Sequence, residues 1–207
     1  MTKFIIGVDE VGRGCVMGDV VAAAVILPES SEETELWDSI KDSKKIRSHD
    51  KRCEVAKFIK NVALAYGIGK ASCKEIDDMN ILKATMLAMH RALDTLMNNF
   101  GDALGITPDN CRLCIDGIYF RPAWRDFKHE CIVKGDTSIK SISAASILAK
   151  VERDTWVLNL VQERWDEFVR YGWHKNMGYG TVEHRTAILE HGPTEFHRMT
   201  FIKKYVS

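Results

Sequence analysis

The chain has 207 residues, of which 45% are hydrophobic and 28% are charged, a balance that excludes a disordered or fibrous protein and fits one large domain. Basic and acidic residues number 29 each, so the formal net charge is zero, which excludes a polycation that coats nucleic acid uniformly. An anionic partner would therefore be bound by local patches of positive charge.

The first half of the chain opens with a predicted β-hairpin. Residues 4–8 and 20–27 are β-prone, and the stretch between them carries Gly12, Gly14 and Gly18. A third strand is predicted over 62–69. Apolar residues at three- and four-residue spacing then predict a helix over 80–99, with Asn80 as its N-cap.

The second half predicts two further strands, over 112–115 and 130–134, and a long helix over 141–167 whose first turns are rich in small residues. A short helix over 182–190 follows in the tail. This order predicts an α/β fold in which helices flank a mixed β-sheet. We expect a single domain over 1–207, with a core to about residue 167 and a C-terminal helical extension, over about 168–207, that binds substrate.

The chain shows no sign of membrane insertion or export. The longest apolar run, 20–27, falls far short of the roughly 18 residues of a membrane span, and no secretion signal opens the chain. We therefore expect a cytoplasmic protein. Its six cysteines are scattered in a chain that does not need disulfide bonds, so we expect reduced thiols.

Acidic side chains stand at the ends of three predicted strands. Asp9 and Glu10 follow the first strand, Asp116 follows another, and Asp136 follows the last. One such acid usually forms a turn, but three strand ends of this kind in one α/β chain favour a shared site. Converging carboxylates repel one another unless divalent cations neutralise them, and Mg²⁺ or Mn²⁺ prefers such ligands. The pattern predicts a hydrolytic site with two metal ions that acts on a phosphodiester.

Gly12, Arg13 and Gly14 directly follow the first acidic pair. Glycine lets backbone N–H groups approach a phosphate or a sugar hydroxyl closely. A dinucleotide-binding loop has similar glycines, but they open a helix, whereas apolar, strand-like residues follow here. The pattern therefore disfavours a dinucleotide cofactor.

Several motifs occur in the order and spacing of one known family. They are GVDEVGRG (7–14), VVAAAVIL (20–27), DSKK (42–45), NILKAT (80–85), IDG (115–117), KGD (134–136), ISAASILAKVERD (142–154) and GYGT (178–181). Over nearly the whole chain this set resembles ribonuclease HII. The resemblance implies a ribonuclease H fold and an endonuclease that cuts the RNA strand of RNA·DNA hybrids. It also implies nicking of DNA 5′ to embedded ribonucleotides, in ribonucleotide excision repair and RNA primer removal.

The resemblance further implies a role for each matching residue. The family's catalytic, metal-binding acids match Asp9, Glu10, Asp116 and Asp136, which would hold two Mg²⁺ or Mn²⁺ ions and leave a 5′-phosphate and a 3′-hydroxyl. Its loop around the 2′-OH matches Gly12, Arg13 and Gly14. Lys44 would contact a phosphate. Tyr179, favoured over Tyr171, would pack on the sugar of the following deoxynucleotide.

The chain departs from the family pattern at two places. Asp19 stands where relatives commonly have proline, which removes a preset backbone angle and adds a charge near the acidic site. Asn176 and Met177 look like an insertion in the usual HKGYGT pattern. We therefore expect a longer loop before Tyr179.

Other groups of possible metal ligands have simpler interpretations. Cys111 and Cys114, with His129 and Cys131 nearby, would point to opposite faces of a strand, which disfavours a zinc site. The irregular spacing of the tail histidines favours surface or packing roles for His174, His184, His191 and His197. Two interpretations stay open for Asp154, namely support of the acidic site and an ion pair on an exposed helix.

The expected partners are RNA·DNA hybrids and ribonucleotide-containing duplex DNA, bound by a monomer without membrane contact. The basic stretch 41–60 fits a solvated helix face and phosphate contacts equally well, whereas the basic and aromatic tail from Arg170 favours a nucleic-acid groove. A contact between the C-terminus and a replication clamp stays open. Two alternatives are a non-catalytic hybrid-binding protein, disfavoured by the four acids, and a DNA-junction nuclease, disfavoured by the GRG loop and the tyrosine.

Overall fold

The computed structural model describes residues 3–31, 34–40, 46 and 48–206. The DSKK segment, with Lys44, lies outside these residues, so its phosphate contact stays a prediction. Within the described residues no helix combines the length and the apolar character that spanning a membrane would require.

Five strands form one mixed sheet, and these are β1 Phe4–Val11, β2 Val20–Ile26, β3 Ala65–Ala71, β4 Cys111–Asp116 and β5 His129–Ile132. Their order across the sheet is β3-β2-β1-β4-β5. The central strand β1 pairs antiparallel with β2 and parallel with β4. Strands β2 and β3 are antiparallel, and β4 and β5 are parallel. The predicted mixed sheet is confirmed.

Helices cover both faces of this sheet and form the C-terminal part of the chain. They are α1 Thr34–Ser39, α2 His49–Val62, α3 Cys73–Met79, α4 Ile81–Leu96, α5 Asp102–Leu104, α6 Gly135–Ser138, α7 Lys140–Glu163, α8 Trp165–Phe168, α9 Trp173–Asn176, α10 Val182–His191 and α11 Met199–Val206. Asn80 is confirmed as the N-cap of α4, since its side chain accepts hydrogen bonds from the backbone N–H groups of Leu82 and Lys83.

Small residues let the helices lie directly on the sheet. A Cβ added to Gly7 of β1 would meet the carbonyl carbon of Ser141, in the first turn of α7, at 2.2 Å. On the opposite face, a Cβ at Gly69 of β3 would meet the Ala88 carbonyl oxygen of α4 at 2.2 Å. The backbones of α4 and α7 are therefore in near contact with the sheet, and every residue of β2 between them is buried.

Several element boundaries differ from the predicted ones. Strand β1 extends to Val11 and so includes Asp9 and Glu10. Strand β3 covers Ala65–Ala71 instead of 62–69, and helix α4 covers Ile81–Leu96 instead of 80–99.

Two further differences lie in the second half of the chain. Helix α7 ends at Glu163 because Arg164 leaves the helical conformation, with φ −128° and ψ 51°. Strand β5 ends at Ile132, and Lys134 turns the chain with a positive φ of 55°. Asp136 therefore lies in the one-turn helix α6 rather than at the end of a strand, which corrects the predicted placement.

The C-terminal segment packs on α7 and on the loop between β1 and β2. Phe168, Trp173 and Ile188 share a buried cluster with Val157 of α7 and Met17 of that loop. The loop between β1 and β2, residues 12–19 (the glycine loop), is thus held by α7 and the C-terminal segment.

Candidate active site

A cavity of about 520 Å³ opens where β1 and β4 end. All four predicted acids line it, and they come from three elements: Asp9 and Glu10 from β1, Asp116 from β4, and Asp136 from α6. The parallel register pairs Val8 with Ile115, so the next residues, Asp9 and Asp116, follow side by side. The backbone N–H of Asp136 donates to Asp116 Oδ1 at 3.4 Å, which brings α6 to the same edge.

The carboxylates of β1 are held in an environment that opposes their charge. Burial raises the pKa of Asp9 well above its ordinary value, and the negative charges of Glu10 and Asp116 raise it further. Burial also raises the pKa of Glu10, while Arg13, whose Nη1 lies 3.0 Å from Glu10 Oε1, lowers it. The site therefore concentrates negative charge that a bound cation would offset.

The donor set fits an open cation site. Glu10 Oε2 is buried and accepts no hydrogen bond from any described residue, so it is available to a ligand. No three acidic, histidine or cysteine side chains in the described part of the chain stand close enough to hold an ion by themselves. Mg²⁺ and Mn²⁺ fit such a site because they take a few carboxylates and complete their shell with water and phosphate oxygens.

The glycine loop and one tyrosine form the opposite wall. Gly12, Arg13 and Gly14 line the cavity, and so does Tyr179, which is 44% exposed. A Cβ built on Gly14 would lie 3.8 Å from the Tyr179 ring, so the loop and the ring face each other. Tyr171 is buried, and its hydroxyl donates to the Gly192 carbonyl. The structure thus places Tyr179, and not Tyr171, at the cavity.

The two departures from the family pattern have simple structural consequences. The Asn176 side chain donates to the Tyr171 carbonyl and accepts from the Gly178 N–H, while Met177 adopts a positive φ of 49°. These residues form a compact turn that closes α9. Asp19 does not line the cavity, and burial raises its pKa while the charge of Lys70 lowers it.

Two further cationic residues line the cavity. Arg52 of α2 belongs to the basic stretch 41–60 that the sequence offered for phosphate contacts, whereas Lys150 of α7 was not singled out from the sequence. Lys150 Nζ lies 2.8 Å from Asp154 Oδ1, and Arg52 Nη2 lies 3.8 Å from Asp154 Oδ2. The ion pair predicted for Asp154 is confirmed, but Asp154 is 1% exposed because α2 packs over α7, so the predicted exposed helix surface is wrong. The four-residue spacing from Lys150 to Asp154 is the signal that could have identified this pair.

The cysteines and the buried tail histidines, the other candidate metal ligands, lie outside the cavity. The six cysteines are free thiols, and the side chain of Cys111, the first residue of β4, is buried in the hydrophobic core. His184 and His197 are buried and hydrogen-bonded, so packing roles are confirmed for these two. Neither the cysteines nor these two histidines line the cavity.

Hydrogen bonds fix the buried histidines as neutral tautomers. Trp173 Nε1–H donates to His184 Nε2 at 2.8 Å, and His184 Nδ1 faces the Tyr179 carbonyl at 2.9 Å, which requires an N–H there. The Thr194 N–H donates to His197 Nδ1 at 2.8 Å, so the His197 proton lies on Nε2, 3.0 Å from His184 Nε2, whose single lone pair it shares with the Trp173 N–H. A second proton on either ring would break a bond in this chain.

We expect the protein to lose stability between neutral pH and pH 4 through His197. Burial, reinforced by His184, lowers the pKa of His197 to about 4 from 6.5, so the unfolded chain takes up the proton first as the pH falls through 6.5. This single group should cost about 2 kcal/mol near pH 5 and level off near pH 4. Urea unfolding across this pH range, with an NMR titration of the His197 ring, tests it. A His197 ring that is charged at pH 6 in the folded protein would contradict this prediction. His191→Gln is the control: His191 is exposed and lies outside the buried network, so this variant should lose stability with falling pH as the wild type does.

The family model and a curated relative identify one family, and solved structures share the fold. The Ribonuclease HII family model matches residues 6–204. A curated ribonuclease HII from Pelagibacter ubique is 46% identical over 199 residues, which cover 96% of each chain. The crystal structure of ribonuclease H2 from Pyrococcus horikoshii OT3 has a TM-score of 0.70 at 22% identity and covers 98% of this chain and 96% of that one. The crystal structure of Bst-RNase HIII in complex with Mn²⁺ has a TM-score of 0.75 at 18% identity, and the match covers 99% of this chain and 70% of that one.

Proposed function

The chain belongs to the ribonuclease HII family, endonucleases of the ribonuclease H class that act on RNA·DNA hybrids, and from this premise we propose its specific reaction. The protein hydrolyses the RNA strand of hybrids and nicks duplex DNA 5′ to an embedded ribonucleotide, leaving a 5′-phosphate and a 3′-hydroxyl. The observation that carries the proposal is the single cavity lined by four carboxylates, the glycine loop and Tyr179.

Asp9, Glu10, Asp116 and Asp136 are the residues that would hold two divalent ions, Mg²⁺ or Mn²⁺. Bound there, the ions would supply an activated water and stabilise the leaving 3′ oxygen. The Mn²⁺ complex of a ribonuclease HIII with the same fold supports a divalent ion. The chain's own contribution is placement, because β1, β4 and α6 hold the carboxylates at one edge of a rigid sheet.

The opposite wall would distinguish RNA from DNA. Gly14 presents backbone rather than a side chain to the cavity, and a 2′-OH can pair with such a backbone group, whereas a deoxyribose would leave it unpaired. The Tyr179 ring faces Gly14 and is placed to pack on the sugar of the next nucleotide. Arg52 and Lys150, which also line the cavity, would contact phosphates, as Lys44 is predicted to do.

We further propose that the protein acts as a monomer in the cytoplasm. Removal of single ribonucleotides from DNA and of RNA primers would use the same cut at an RNA–DNA junction.

The decisive experiment uses a DNA duplex that carries one ribonucleotide and an all-DNA duplex of identical sequence as control. With Mg²⁺ or Mn²⁺ we expect a single nick 5′ to the ribonucleotide and no cut in the control, and chelation of the metal should abolish the nick. Failure to cut despite tight binding would indicate a hybrid-binding protein. Equal cutting of both duplexes would indicate a DNA-directed nuclease.

Tyr179→Ala tests the junction contact. Burial of an aromatic ring against the sugar contributes about 1.5–3 kcal/mol, so kcat/KM on the single-ribonucleotide duplex should fall about tenfold or more. A continuous RNA·DNA hybrid, cut between ribonucleotides, should be affected less. Tyr179→Phe keeps the ring and should retain most activity on both substrates. Equal losses on both substrates for Tyr179→Ala would remove the tyrosine from junction recognition.

A further inference from the structure

Two arginines are buried behind the glycine loop. Arg153 of α7 is 1% exposed, and Arg198, which directly precedes α11, is fully buried. Among the described residues neither guanidinium forms a salt bridge, although burying a charge costs several kcal/mol. What offsets this cost is a set of hydrogen bonds to backbone carbonyls of the two loops that line the cavity.

The hydrogen bonds of the Arg198 side chain all go to carbonyls of the loop between β1 and β2. The Arg198 Nη1 donates to the Cys15 carbonyl at 2.8 Å and to the Arg13 carbonyl at 3.1 Å, and its Nε donates to the Gly18 carbonyl at 2.8 Å. Because a trans peptide directs its C=O and N–H in opposite directions, the N–H of Gly14 points away from Arg198. Gly14 lines the cavity, and its N–H makes no hydrogen bond within the described chain.

Arg153 joins the glycine loop to the turn that precedes Tyr179. Its Nη2 donates to the Met17 carbonyl at 3.0 Å, and its Nη1 donates to the Met177 carbonyl at 2.7 Å. Gly12 and Gly178, both with positive φ, pack against the same guanidinium, and a Cβ at Gly12 would lie 2.5 Å from Arg153 Nε. Both loops are therefore built around this side chain.

We propose that Arg153 and Arg198 are positioning residues for ribose recognition, an inference that rests on the proposed function. Arg198 orients the Gly14 N–H towards the ribose, and Arg153 sets the spacing between that N–H and the Tyr179 ring. Only a planar guanidinium can donate in several fixed directions at once, so lysine keeps the charge but cannot hold the same set of carbonyls. The two arginines touch no reacting group themselves.

Arg153→Lys is the main test, with kcat/KM measured on a single-ribonucleotide duplex and on a continuous RNA·DNA hybrid. Because a misplacement of about 1 Å can cost up to 10²-fold, kcat/KM on the single-ribonucleotide duplex should fall at least tenfold further than on the hybrid. A merely structural role would lower both values equally, by reducing the folded fraction. Arg164→Lys is the matched control, since Arg164 is partly exposed and pairs with Glu167 and Glu195; both of its values should be unchanged.

A measurement without an arginine variant covers the case in which Arg153→Lys does not fold. In the folded Asp116→Asn protein, the Gly14 amide should exchange rapidly with solvent and become protected when the single-ribonucleotide duplex binds. Equal losses on both substrates, no loss, or a Gly14 amide already protected in the free protein would overturn the inference. A wild-type protein that cuts neither substrate would instead overturn the proposed function, and this inference with it.

Discussion

Replacing Asp116 with asparagine should lower the rate of cleavage of a single-ribonucleotide duplex by about 10³-fold or more, and Asp9→Asn should do the same. Asparagine keeps the shape of the side chain and removes the charge that would bind a cation. Both aspartates line the cavity, and β1 and β4 place them side by side. Rates under saturating Mg²⁺ and, separately, Mn²⁺ measure the effect.

The same substitutions should leave the metal-free fold as stable as the wild type or more stable. Asp9 is buried beside Glu10 and Asp116, so a neutral side chain relieves repulsion among like charges. Thermal unfolding in the presence of a chelator checks this. Asp109→Asn is the matched control, because Asp109 is exposed and precedes β4 at the end opposite to Asp116. Near-normal cleavage by both site variants would remove these residues from the proposed metal site.

The acids contribute to the proposed activity but not to the stability of the fold, and for this reason they could be found from the sequence. A carboxylate in an apolar, strand-forming stretch conflicts with its surroundings, and such conflicts concentrate at functional sites. Asp9 and Asp116 show that conflict in their immediate neighbours, so the strand pattern alone located them. The same pattern selected Asp136 but misplaced it at a strand end, because the positive φ of Lys134 and the helical turn after it have no periodic signal.

The residues that sequence reasoning missed are those whose role depends on distant contacts. Arg153 and Arg198 are arginines, a residue type that is mostly exposed, and their burial follows from the packing of the C-terminal segment over the β1–β2 loop. Asp154 was considered as an ion-pair partner, but its burial could not be predicted because it depends on α2 lying over α7. Local propensity could therefore predict the strands, the Asn80 cap and the acids, but not the polar groups enclosed where separate segments meet.

Alanine at the two glycines of the GRG loop should affect different properties: Gly14→Ala should lower activity, and Gly12→Ala should lower stability. The pair therefore tests whether the glycine loop contacts the ribose. Gly14 has an ordinary backbone conformation, and its added methyl would find its nearest neighbour, the Tyr179 ring, at 3.8 Å. Gly14→Ala should therefore fold with normal stability, yet its methyl would occupy the space between the loop and the ring. We expect kcat/KM on ribonucleotide-containing duplexes to fall about tenfold or more.

Gly12→Ala should instead lose stability. Its φ of +92° is strained for any L side chain, and its Cβ would lie 2.5 Å from the buried Arg153 guanidinium. Strain of this kind costs about 1–3 kcal/mol, and displacement of Arg153 would add to it, so urea unfolding should show a lower free energy. Activity per folded molecule of Gly14→Ala and the unfolding free energy of Gly12→Ala are the two measurements. Full activity of Gly14→Ala on a single-ribonucleotide duplex would show that the ribose does not approach this part of the loop.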